Sequence, residues 1–195
     1  MVLEDSTTDK SQQIDIIMEE FKALRNEILF RASTQLNIIK LNITAMGLIA
    51  GAYFTKTDLF YNRILFLIPV ISPILGLLWL DNATSITNIG NFIQKDIKSD
   101  IKHILGKEIP DFESYVRELE FKRLDRSFLI GIPVLTLFAL LPLIALLVPI
   151  LTTQFEETKT TILALCAPGV IFLLIFSFYW IRFVWVRIPS DKQTL

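Results

Sequence analysis

Apolar residues run almost unbroken through four stretches of the chain, Leu36 to Phe54, Ile64 to Leu80, Phe128 to Leu151 and Ile162 to Ile181. Each approaches or exceeds the roughly 20 residues a helix needs to cross bilayer hydrocarbon. Backbone amides find no water there, so such runs close their own hydrogen bonds as helices. The pattern predicts an all-α, polytopic membrane protein, one membrane domain over 1–195 with transmembrane helices at 36–54, 64–80, 128–151 and 162–181.

Between the runs the pattern changes to a helical period. Ile14, Ile17, Phe21, Leu24 and Ile28 recur at steps of three and four, and no Pro or Gly separates them from the first run. One rod is therefore expected from Asp9 to Phe54, its cytoplasmic part being 9–35, with Asp9 as N-cap and Gln12 as its capping-box partner. After the second run, Ile86, Ile89, Ile93, Ile97, Ile101 and Ile104 form another stripe, closed by Gly106. Its steps average 3.6 residues, the period of a straight helix. A third helix is expected from Asp111 to Arg126, with Glu113 to Arg117 and Glu118 to Lys122 as exposed pairs, as Glu27 to Arg31 is in the arm. Extensions of spans one to three thus predict a cytoplasmic helical bundle, with 82–127 as its central segment and 182–195 as a cytoplasmic tail.

Composition agrees: 52% hydrophobic residues, 15 Phe and a mean hydropathy of +0.52 are too apolar for a soluble domain of 195 residues. Met1 to Lys10 is acidic and polar, unlike a cleavable signal, so the first span is expected to be an uncleaved anchor. Fifteen Lys and Arg fall in the arm, the central segment and the tail, against Lys56, Arg63 and Lys159 in the two opposite loops. Loops rich in Lys and Arg stay cytoplasmic, which puts both termini inside. Trp79, Trp180 and Trp185 at one end, and Tyr53, Phe60 and Tyr61 at the other, suit an aromatic belt. Seventeen Asp and Glu share the cytoplasmic segments with those cations, so no basic patch for nucleic acid is expected, and Lys122, Arg123 and Arg126 read as topology anchors.

Chemistry is sparse. A single histidine, His103, and a single cysteine, Cys166, leave no zinc set or Cys–His pair within one chain. Phosphate-binding glycine loops, metalloprotease His pairs and nucleophile elbows do not occur. No enzyme, catalytic residue, metal or cofactor is expected. The informative polar residues are those of span one, where Asn37, Lys40 and Thr44 share a face and Asn42 points elsewhere. Charged groups inside a span are functional candidates, although Lys40 lies only about 6 Å inside the cytoplasmic boundary and can snorkel. Gly47 and Gly51 form a GxxxG pattern, and Gly90 is a further candidate for close helix contact. Six of the eight prolines lie in spans, where packing is the expected role.

Leu24-Arg25, Glu27-Ile28 and Arg31 before span one, with Trp79, Asp81, Ser85-Ile86, Ile89-Gly90 and Ile93 after span two, resemble a loose group of small uncharacterised bacterial four-span integral membrane proteins. The resemblance covers roughly the first half of the chain and implies a shared architecture, with no activity attached. Two functional expectations follow from the residues. One is a non-enzymatic multi-pass protein in membrane lipid that self-associates as a homo-oligomer and offers its cytoplasmic bundle to a protein partner or signal. The other is an oligomeric pore or membrane-permeabilising effector, such as those of bacterial antiviral systems, with Asn37, Lys40 and Thr44 facing the conduit.

Overall fold

The computed structural model describes residues 3–55, 64–105, 131–152 and 159–187, and all of them are helical. Helix α1 is Leu3–Thr55. A 3-10 turn at Leu65–Leu67 leads into α2, Ile68–Phe92, which passes through a π turn at Ile93–Ile97 into α3, Lys98–Leu105. Residues 131–135 enter a second π turn, Thr136–Leu140, followed by α4, Leu141–Thr152, and then α5, Lys159–Arg187. Four of these helical stretches are long and apolar enough to cross a membrane. Gly106, the helix expected over Asp111 to Arg126 with its ion pairs, and the charged residues Lys56 and Arg63 lie outside the described residues.

The rod is continuous, but it starts at Leu3 rather than at Asp9. Asp9 lies inside the helix and is not its N-cap, because a cap residue must leave helical geometry. At 53 residues α1 is about 80 Å long at 1.5 Å per residue. Its covered side repeats at alternating steps of three and four: Ile14, Ile17, Phe21, Leu24, Ile28, Arg31, Gln35, Ile38, Asn42, Ala45, Ile49 and Ala52 are all half-buried or buried. That spacing averages 3.5 residues, the repeat of a helix that curves around its neighbours.

The chain divides into two compact units, one from 1–35 with 82–124 and one from 36–81 with 125–195. In the first, Ile93 and Ile97 of the isoleucine stripe are only 2% and 3% exposed. Burying each such side chain contributes roughly 1.5–3 kcal/mol. The helix is not straight throughout, however. The π turn falls on the 93-to-97 step, between Gly90 and Ile101, and takes up a residue without turning the stripe off its face. Gln13, Ile16, Ile17, Asp100, His103 and Ile104 line a shallow groove. Arg31 Nε donates to Glu27 Oε1 at 2.6 Å, and the Arg25 guanidinium lies 5.6 Å from the centre of the Phe21 ring.

The second unit packs through small residues. At Gly76 an added Cβ would stand 2.7 Å from the Phe176 ring and 3.0 Å from Phe138, and at Gly169 it would stand 3.0 Å from Pro69. Phe138 and Phe176 are fully buried, with centroids 6.1 Å apart. The row continues along one face of α5 through Trp180 to Phe183, at 6.0 and 6.2 Å. Trp79 is 9% exposed and lies 6.4 Å from Trp180. The rings fill the space that Gly76 leaves, and such pairs add about 0.5–1.5 kcal/mol beyond their burial. Phe66, Leu146 and Cys166 form a second cluster, in which the thiol behaves as a small apolar group.

Replacing Gly76 by Leu is expected to cost at least about 1–3 kcal/mol through overpacking against two rings. Thermal unfolding in detergent should show a clear drop for Gly76→Leu and little change for Gly90→Ala, whose added Cβ meets nothing within 4 Å. Equal melting of the two variants would contradict the packing described.

Candidate functional site: an outward stripe and a buried polar pair on the apolar helices

Asn37, Lys40, Thr44, Gly47 and Gly51 follow one another on α1 at steps of three, four, three and four, and all five are exposed. At 100° per residue they occupy an arc of about 80°. The polar set and the glycine pair are therefore one stripe, on a different side from Ile38, Asn42, Ala45, Ile49 and Ala52, which the unit covers. An added Cβ at Gly47 or Gly51 meets nothing within 4 Å, so neither glycine makes a close approach within this copy. Leu41, Ile43 and Leu48 on the adjoining arcs are 57%, 55% and 71% exposed. Polar atoms and open backbone thus lie in a furrow between exposed aliphatic side chains.

Gly90 belongs to the other unit, where it is half-buried, and an added Cβ there meets no atom within 4 Å. The close approaches occur at Gly76 and Gly169 instead, which sequence reasoning did not single out. Gly169 carried a signal in the Pro168-Gly169 pair; Gly76, in an aliphatic run, carried none. His103 is exposed on the rim of the groove described above.

Among the described residues, two polar side chains are fully buried, Asn42 and Ser72. Ser72 has a definite task. In the π turn the Leu141 amide bonds back five residues to the Thr136 carbonyl, so the next bond of that kind would run from residue 142 to Leu137. Residue 142 is proline and has no N–H, which leaves the Leu137 carbonyl without its helical donor. Ser72 Oγ donates to that carbonyl at 3.2 Å from the neighbouring helix. Pro69, Pro73 and Pro142 are all fully buried, so these three prolines are packing elements, as expected.

Asn42 has no such arrangement. Neither its Nδ2 nor its Oδ1 finds a hydrogen-bond partner, although both are buried. A carboxamide left in that state costs about 1–3 kcal/mol for each unsatisfied group.

Comparison with family models, with curated proteins and with solved structures finds no match to this chain. Its own geometry has to carry the functional reading.

Ser72→Ala should destabilise the protein by about 0.6–1.7 kcal/mol, the range measured for hydrogen bonds between apolar helices. Ser72→Thr, which keeps the hydroxyl, should recover most of the loss of melting temperature in detergent. If Ser72→Ala melts with the native protein, the Leu137 carbonyl does not depend on this donor.

Proposed function

We propose that this chain is a non-enzymatic, multi-pass inner-membrane protein that self-associates through the outward stripe of α1 and presents its charged helices on the cytoplasmic side to a protein partner. The observation that carries the reading is the exposure of Asn37, Lys40 and Thr44 on the same stripe as Gly47 and Gly51.

Support for lipid as the solvent comes from the surface of the apolar unit. Leu36, Leu48, Phe54, Ile171, Leu174, Phe178 and Ile181 are among its side chains more than half exposed. Contiguous apolar surface of that kind is a liability in water and the ordinary state in hydrocarbon. The inward-facing termini rest on the asymmetry of Lys and Arg between alternate loops, and the bacterial setting on the resemblance to small bacterial four-span proteins alone.

Self-association follows from what lipid does to the stripe. Asn37 and Thr44 facing acyl chains leave polar atoms without partners, which hydrocarbon penalises. A second copy inserted the same way brings the same side chains to the same depth, and its open glycines admit close backbone contact. Lys40 needs no deep burial in such a pair, because its stem reaches back to the cytoplasmic headgroups. The exposure of Lys40 also favours a second reading, in which a larger ring turns Asn37, Lys40 and Thr44 toward an aqueous conduit and the protein permeabilises its membrane.

Particle mass in detergent, measured by light scattering, tests the first reading. Native protein is expected as a dimer or larger, and Gly47→Ile with Gly51→Ile should weaken association at least about tenfold, equivalent to 1.4 kcal/mol. Melting should change little, since both positions are open within the copy. A native monomer at micromolar concentration would refute self-association.

Membrane potential during induced expression separates the two readings. The pore predicts depolarisation that Lys40→Leu alters, whereas the first reading predicts a steady potential in both cases.

A further inference from the structure

The buried carboxamide of Asn42 lies on the covered side of α1, where Ile38, Ala45 and Ile49 are its neighbours along the helix, and both of its polar atoms lack partners. A side chain with no exposed surface is out of reach of a second copy, so oligomer formation leaves it unchanged. Whatever satisfies it must enter the unit itself and must be small.

We infer that Asn42 holds an internal water molecule within span one. The amide offers donor hydrogens on Nδ2 and an acceptor at Oδ1 in one place, and water both accepts and donates. A metal cation fits less well, because Nδ2–H would repel it and the site would need several oxygen ligands. Among the described residues of this unit Asp81 is the only acidic one, and it is exposed. An apolar guest would leave both amide atoms as they are. A buried water makes about three hydrogen bonds. Helical carbonyls one turn back, each with a lone pair left over from its helical bond, supply the remaining acceptors. Ala45, three residues on along the same face, is half-buried and carries a single methyl group.

The site lies six residues past Leu36, about 9 Å along the helix. It therefore puts an exchangeable polar group inside a single copy, on the side of α1 away from the stripe. The inference is independent of self-association, and either can fail alone.

Asparagine-selective ¹⁵N labelling of the native protein in lipid nanodiscs tests it, with magnetisation transfer from water to side-chain amides as the readout. The Asn42 pair is identified by its loss in Asn42→Leu, or in Asn42→Ser where the leucine variant does not fold. Transfer to that pair is expected. An Asn42 pair that receives none, while the exposed Asn37 pair does, overturns the inference. Melting gives a second test. A dry, unpartnered amide predicts that Asn42→Leu melts several degrees above native, and that result would also overturn it; a hydrated amide predicts no gain.

Discussion

Backbone carbonyls that lose their helical donor must find another where no water is at hand, and the apolar unit is arranged around that constraint. Pro142 takes the donor away, the π turn at Thr136–Leu140 moves the vacancy to Leu137, and the Ser72 hydroxyl fills it from the neighbouring helix. The bond requires the two helices to run close together. Gly76 on the serine's helix provides the closeness, and Phe138 from the π turn, together with Phe176, occupies the space beside it. Small residues, a polar bond and stacked rings are three parts of one contact.

This arrangement fits a medium that gives apolar side chains no reason to turn inward. In lipid, association between helices depends on shape and hydrogen bonding more than on removing hydrocarbon from its surroundings. The unit has that character, with Gly76, Gly169, Ser72 and Asn42 inside and long aliphatic side chains outside. In the charged unit Ile93 and Ile97 are inside, while Lys95, Asp96, Asp100 and Lys102 are out. Helix α1 supplies covered residues to each.

Much of this was legible in the residues. Length and hydropathy located the helices, because both depend on local composition alone. The isoleucine stripe and the single rod were visible for the same reason, as was the separation of Asn42 from the Asn37, Lys40 and Thr44 face, which is plain helix geometry. What escaped notice depended on partners distant in sequence. Gly76 matters because of Phe176, and Ser72 because of a carbonyl sixty-five residues away. The start of α1 was misplaced because Asp9 looks like a cap, whereas the backbone is already helical from Leu3.

The π turn at Ile93–Ile97 bears on how this sequence can vary. Deleting one residue from an ordinary helix swings everything beyond it by about 100°, which would carry Ile101 and Ile104 off the covered side. Within the π turn, the same deletion only tightens a widened loop back to the common pitch and leaves both flanking faces in place. Chains related to this one can therefore differ in length by a single residue at this point, and an alignment that forces them into equal length would pair the wrong isoleucines from there onward.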